Sequence, residues 1–256
     1  MEGPSKVPAD PPPGNWEEIA GRLAAVRRRL RAAERSAGRA PGSVTLLAVS
    51  KTHPPEAIRA AWQAGQRAFG ENYLQEALAK QAELRDLGLE WHFIAPLQSN
   101  KTKAVAADFD WVHSIERLRI ARRLSSQRPR QLRPLQCCIQ VNVSGEANKS
   151  GVAPDQLPGL ARAVAELPGL RLRGLMAIPA PAADPAAQRR PLARLREMLE
   201  DLRDDGLPLD TLSIGMSADL EAAVAEGSTL VRIGTAIFGP RPTPAADADR
   251  ATESNS

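Results

Sequence analysis

The chain has 256 residues, 34 basic against 30 acidic, for a formal net charge of +4, with 43% hydrophobic and 25% charged residues. That is ordinary globular composition, which excludes a wholly disordered, collagen-like or fibrous protein. The longest apolar runs, such as 44–49, are far too short to span a bilayer, so no membrane association is expected.

Residues 1–14 hold Pro4, Pro8, Pro11, Pro12, Pro13 and Gly14. They read as a disordered, Pro-rich leader without the apolar core of a secretory signal. Asn15 reads as a helix N-cap with Glu18 three residues on. Trp16, Ile19, Leu23, Val26 and Leu30 then recur on one helical face. After a break at 38–42, short apolar runs predict strands at 44–50, 67–70, 91–94, 110–114, 135–142, 171–175, 210–214 and 230–233. Helices are predicted between them, near 54–64, 72–87, 99–107, 116–127, 154–166, 186–204 and 217–226. The segment 242–256 is rich in Ala, Asp, Ser and Thr and is expected to be disordered. Eight strands alternating with helices, behind an extra N-terminal helix, predict a single α/β domain over 15–241, a (β/α)8 TIM barrel. The alternative is an open doubly wound sheet, but no G-x-G-x-x-G opens a helix here.

The basic balance, with a pI near 9.4, raises the question of nucleic acid. Basic residues are scattered, aromatics are only 4% and no nucleic-acid motif is present, so none is expected to bind. Of the 34 basic residues 28 are Arg, and the six lysines are Lys6, Lys51, Lys80, Lys101, Lys103 and Lys149. Arg replaces Lys at most surface positions but not where a deprotonatable amine is needed. Adjacent Cys137 and Cys138 form no disulfide framework or metal-ligand spacing. Their strand predicts inert packing, and a reducing, cytoplasmic setting follows. His53 and His113 also lack metal spacing and are expected to be structural.

In a barrel of this kind chemistry sits at the C-terminal strand ends. Lys51 closes the first run, on the same side as Thr45, Leu47 and Val49. Desolvation there would free its amine as a nucleophile. The seventh run ends in Gly215, Met216 and Ser217, with Gly215 allowing close backbone approach and Ser217 expected as an N-cap. In the eighth run Arg232 is expected to point into the barrel, where it needs partners, and Gly234-Thr235 offers a second backbone cradle. An amine opposite a phosphate cradle, with a charged group between, is the layout for a pyridoxal phosphate Schiff base.

Ala48-Val49-Ser50-Lys51-Thr52, Phe69-Gly70-Glu71-Asn72-Tyr73, Trp91-His92-Phe93-Ile94 and Leu97-Gln98-Ser99-Asn100-Lys101 resemble motifs of the pyridoxal phosphate homeostasis protein family (the YggS/PROSC family). So do Val141-Asn142-Val143, Gly174-Leu175-Met176-Ala177-Ile178-Pro179, the run 215–223 and the run 231–239. The matches fall in order over about 15–241. The resemblance implies a barrel like the N-terminal domain of alanine racemase, with pyridoxal 5'-phosphate held as a Schiff base on Lys51. It implies phosphate near Met216, Ser217, Gly234 and Thr235, Arg232 near the ring nitrogen, and Asn72 and His92 lining the pocket.

It further implies a monomeric cofactor carrier without established catalysis, with apo pyridoxal phosphate enzymes as candidate recipients. Lys101, Lys103 and Lys149 are candidates for a second amine or a phosphate-recruiting charge near the mouth. The competing class is a pyridoxal phosphate-dependent amino-acid racemase, which needs an acid/base group on each face of the substrate carbon. The only tyrosine is Tyr73, and the 17 residues beyond Gly239 are too few for the second domain of alanine racemases, so the carrier is the favoured expectation.

Overall fold

The apolar runs condense into eight parallel strands, each hydrogen-bonded to its sequence neighbours, with the last pairing on the first. They are β1 (Thr45–Val49), β2 (Ala68–Glu71), β3 (Glu90–Phe93), β4 (Trp111–Ile115), β5 (Leu135–Gln140), β6 (Leu170–Met176), β7 (Thr211–Ser213) and β8 (Leu230–Ile233). This closed barrel is seen in a computed structural model that describes residues 16–145, 150–180 and 184–240. Closure removes sheet edges, so the open doubly wound alternative is excluded. The predicted leader, tail and Asn15 cap lie outside the described residues, as does Lys149.

The helices are α1 (Trp16–Ser36), α2 (Pro55–Gln63), α3 (Leu74–Glu83), α4 (Thr102–Asp108), α5 (Leu118–Gln127), α6 (Leu157–Ala165), α7 (Pro185–Asp204), α8 (Leu220–Ala225) and α9 (Thr235–Phe238). Three predicted helices end or begin in a tighter 3-10 turn, at Arg85–Leu87, Ser99–Lys101 and Pro154–Gln156. The stub α9 was not expected, since four residues carry no periodicity to read. At the other extreme, the spacing in α1 is borne out: Ile19, Leu23, Val26 and Leu30 are all buried. Glu34 of α1, 1% exposed, accepts from the amides of Gly42 (3.0 Å) and Val44 (2.8 Å) and so fixes the chain's entry into β1.

A parallel strand is buried on both faces, and the two faces carry different chemistry here. Outward-facing residues such as Leu46, Ala48, Phe69 and Phe93 join the helices in one continuous apolar layer. Inside the barrel there are two separate apolar clusters. Leu47, Val49, Ala68, Ile94 and Leu230 form one, and Trp111, Cys138 and Met176 form the other. The polar residues His92, His113, Ser213 and Arg232, from β3, β4, β7 and β8, are all buried.

Candidate functional site

Strand alternation puts Leu47 and Val49 inside the barrel, and the chain leaves β1 through Ser50, Lys51, Thr52 and His53. Lys51 is half-buried. The turn around it is closely specified. The Ser50 amide donates to the Gly70 carbonyl at 3.0 Å, and the His53 amide donates back to the Ser50 carbonyl at 3.1 Å. Thr52 has φ of +66°, the one non-glycine in the left-handed region among the described residues. Such a conformation costs about 1–2 kcal/mol and persists where surrounding contacts over-determine it. Those contacts are visible. Glu76 Oε1 accepts from the Thr52 amide at 2.6 Å, and Lys80 Nζ donates to the Ser50 carbonyl at 2.8 Å. Lys80 also donates to Glu71 Oε1 (2.8 Å) and Glu76 Oε1 (2.5 Å), while the Ser50 hydroxyl donates to Glu71 at 2.7 Å. Burial raises the pKa of Glu71, against the opposing pull of Lys80 and Ser50.

Of the other expected residues, those that follow β2, β7 and β8 gather at the same end of the barrel. Asn72 follows β2, the strand paired with β1. Its Oδ1 is buried without a hydrogen-bond partner among the described residues, and so is Thr52 Oγ1. Gly234 follows β8, the other neighbour of β1; a Cβ there would lie 3.2 Å from the Val49 carbonyl oxygen. His53 stacks on Phe238 of α9, ring centroids 5.2 Å apart, which ties the Lys51 turn to the segment headed by Gly234 and Thr235. Gly215 has φ of +98°, and a Cβ there would meet the Ala223 Cβ at 2.6 Å, so only glycine fits.

Ser217 departs from expectation. It is not the N-cap of α8, which starts at Leu220 behind Asp219. The Asp219 carboxylate instead accepts from the Met216 amide at 2.7 Å, tightening the 216–219 turn ahead of the helix. A short side chain reaching back three residues competes with the helical start that the apolar spacing suggested. The Ser217 carbonyl is held from α1 by Arg29 Nη1 at 2.8 Å, and Arg29 also chelates Glu221.

Arg232 does point inward and is 5% exposed. Nη1 donates to the Ser213 carbonyl (2.6 Å) and hydroxyl (2.7 Å), and Nη2 donates to the Ala177 carbonyl (2.9 Å). Burial pushes its pKa down to about 10, against the attraction of Asp219, so it remains charged at neutral pH. His92 is placed differently from the mouth residues. It lies inside the barrel, stacked on Trp111 at 5.3 Å, and it lines a cavity with Ser43, Thr45, Glu90 and Thr229, at the N-terminal end. Its Nδ1 is 2.9 Å from His113 Nε2, and His113 Nδ1 is 2.9 Å from the Ser213 hydroxyl. Glu90, His92, His113, Ser213 and Arg232 thus form a line across the interior; Glu90 Oε1 is 3.2 Å from His92 Nε2. His113, fully buried, joins His92 to the Ser213 hydroxyl that Arg232 also contacts.

Sequence reasoning passed over Glu71, Glu76, Lys80 and the His113–Ser213 link. One signal existed: Lys80 is among only six lysines, and Glu76 lies four residues before it on a helix. Among the described residues no group of His, Cys, Asp and Glu could hold a metal.

The interior line carries a pH dependence. Burial, then the charges of His92 and Arg232, hold His113 well below its ordinary 6.5. The unfolded chain therefore binds this proton first, so stability present above about pH 6.5 falls as pH drops, by up to about 1.4 kcal/mol per pH unit for one proton. His113→Gln is expected to flatten that slope. Urea unfolding at about pH 7.5 and about pH 5 measures it, and an unchanged slope would assign the acid sensitivity elsewhere.

Comparison with known proteins agrees with the geometry. The family model for the alanine racemase N-terminal domain matches residues 22–242. The chain is 65% identical over 223 residues to the pyridoxal phosphate homeostasis protein of Pseudomonas aeruginosa, covering 87% of this chain and 96% of that one. It is 55% identical over 227 residues to the protein of the same name from Escherichia coli K12, covering 88% and 97%. Among solved structures, PipY of Synechococcus elongatus with PLP bound has a TM-score of 0.76 at 41% identity, covering 86% of this chain and all of that one. Alanine racemase of Corynebacterium glutamicum has a TM-score of 0.62 at 21% identity, covering 88% of this chain and 63% of that one, which shows a shared fold. A closed eight-stranded barrel with a lysine at the end of its first strand, matched over nearly its whole described length, belongs to the pyridoxal phosphate homeostasis protein family.

Proposed function

We infer that this chain is a pyridoxal 5'-phosphate-binding protein that acts in pyridoxal phosphate homeostasis. The observation that carries this reading is the 65% identity with the Pseudomonas aeruginosa protein of that name over 96% of its length. PipY, at 41% identity, holds PLP on the same barrel. When bound, pyridoxal phosphate supplies an aldehyde that a lysine amine can hold, a phosphate and a pyridine ring. The residues present fit such a group. A half-buried lysine is followed by Thr52, whose Oγ1 is buried, and β2 alongside leads to Asn72, whose Oδ1 is buried; neither oxygen has a hydrogen-bond partner among the described residues, and two glycines keep the ends of β7 and β8 clear of side chains.

In this reading Lys51 is the covalent attachment point and Asn72 borders it. Gly215, Met216, Ser217, Gly234 and Thr235 receive the phosphate through backbone and hydroxyl groups, and Arg232 faces the ring nitrogen. The Met216 amide is already engaged by Asp219, which shifts the work toward the Ser217 and Thr235 hydroxyls and the amides that open α9. Arg232 keeps its proton at neutral pH and donates only, which suits holding a cofactor. His92 acts from inside the barrel, through His113 and Ser213, on the orientation of Arg232.

The reading includes a carrier role without turnover. Two-base racemisation needs a second acid/base facing the lysine. The one tyrosine, Tyr73, is 52% exposed ahead of α3. Buried, unbridged Cys137 and Cys138 fit a reducing cytoplasm, and apo pyridoxal phosphate enzymes are the fitting recipients of a monomeric carrier. No helix among the described residues is long and apolar enough to cross a membrane. The test incubates the cofactor-loaded protein with L-amino acids in deuterated water. No sustained exchange of the α-proton, with transfer of cofactor to an apo-enzyme, is the expected result. Exchange with inversion that is lost in Lys51→Ala would make the chain a racemase.

A further inference from the structure

Every partner of the Lys80 ammonium is also a partner of the turn that carries Lys51. Lys80 Nζ donates to the Ser50 carbonyl, which belongs to the peptide group preceding Lys51. It donates to Glu76 Oε1, which accepts from the Thr52 amide, and that amide belongs to the peptide group following Lys51. It donates to Glu71 Oε1, which accepts from the Ser50 hydroxyl. The cluster is buried behind the turn: side-chain exposure is 4% for Lys80, 0% for Glu71 and 29% for Glu76.

A buried ion pair of this kind is a weak device for stability, since apolar residues of the same volume often do as well. It is a strong device for geometry, because charge-assisted hydrogen bonds are short and directional. A lysine reaches its target on a flexible four-carbon stem, so the direction of its Cα–Cβ bond decides where the amine can go. Thr52, held at φ of +66°, shows the backbone kept in a conformation it would not adopt unaided.

We propose that Lys80, acting with Glu71 and Glu76, is the positioning residue for Lys51, locking both peptide groups that flank it so that its amine is aimed into the barrel mouth. This rests on Lys51 being the attachment point for pyridoxal phosphate. The step served is condensation: the Lys51 nitrogen bonds to the aldehyde carbon, and the carbonyl oxygen leaves as water with both amine protons. Lys80 takes no part in the bond changes.

The test uses cofactor-free full-length protein. Lys80→Met combined with Glu71→Gln removes the buried charges together, so no lone carboxylate is stranded. Glu76→Ala, at the cluster's rim, is the second variant should the first fail to fold. Three quantities are read: amide exchange at Thr52 and His53 against the strands, acetylation of Lys51 by acetic anhydride across pH against exposed Lys103, and the rate of pyridoxal phosphate uptake at Lys51. Thr52 exchange is expected to quicken about tenfold and cofactor uptake to slow about tenfold, the lower range for losing a hydrogen bond to a charged group. The Lys51 acetylation profile should move relative to Lys103, with strand exchange unchanged. A folded variant that melts lower yet keeps the wild-type Lys51 profile and uptake rate would make the cluster purely structural and overturn the proposal. Wild-type protein that takes up no cofactor at Lys51, while its Lys51 profile still responds to these substitutions, would instead sink the functional reading and leave the positioning role standing.

Discussion

Lys51→Ala is expected to lose covalent retention of pyridoxal phosphate entirely while remaining folded. The wild-type protein should show a visible absorbance band that borohydride converts to a stable label on the peptide containing Lys51. The variant should show neither. Folding should survive because the turn is held by backbone groups of Ser50 and Thr52 and by the Lys80 cluster, which do not include the Lys51 side chain. Lys51→Arg sharpens the result. It restores charge and length, yet a guanidinium cannot deprotonate to condense with an aldehyde, so covalent retention should stay absent. A wild-type label on Lys101, Lys103 or Lys149 would remove Lys51 from the centre of the site.

Gly174→Ala should produce the largest loss of stability of any single methyl addition in the barrel. Gly174 pairs with Thr211 across β6 and β7, directly after a register shift between Cys137 and Cys138 on the β5 side. A Cβ at 174 would stand 1.8 Å from the Thr211 carbonyl oxygen and 2.7 Å from its carbonyl carbon. Both obstacles are backbone, so relief requires the two strands to part. Overpacking of this severity costs about 3 kcal/mol or more. For a chain of this size that lowers the melting temperature by roughly 6–12 °C. The strand that parts is the one leading to Ser213, so the partners of Arg232 move with it. A variant that melts within a degree or so of wild type (about 1 °C) would show that the β6–β7 seam can open without cost.

The same seam illustrates what a linear reading misses. The apolar run predicts a strand over 171–175, which holds Arg173 and Gly174, but the shift that leaves Gly174 facing a carbonyl depends on how β5 and β6 meet. Likewise His113 is visible two residues after Trp111 in a predicted strand, but its contact with Ser213 crosses the barrel between residues 100 positions apart. His92 shows the cost of that gap most plainly. The family motif suggests a pocket residue, whereas the ring stacks on Trp111 and reaches the opposite end of the barrel.

Asn72 is marked only by the family resemblance; determined by the sequence alone were the number and order of strands, the N-terminal helix and the candidacy of Lys51, Gly215, Arg232 and Gly234 for one end of the barrel. These follow from local causes: periodicity of apolar residues, turn chemistry, and the rule that successive parallel strands deliver their C-terminal ends to one face. Tertiary structure alone decided that Asp219 and not Ser217 precedes α8, that His92 lies against His113, and that Lys80 grips the Ser50 carbonyl ahead of Lys51 from 30 residues away in sequence. Each of those depends on which long polar side chain finds a buried acceptor, and buried polar groups are satisfied by whatever closure of the barrel brings near them, which no local spacing encodes.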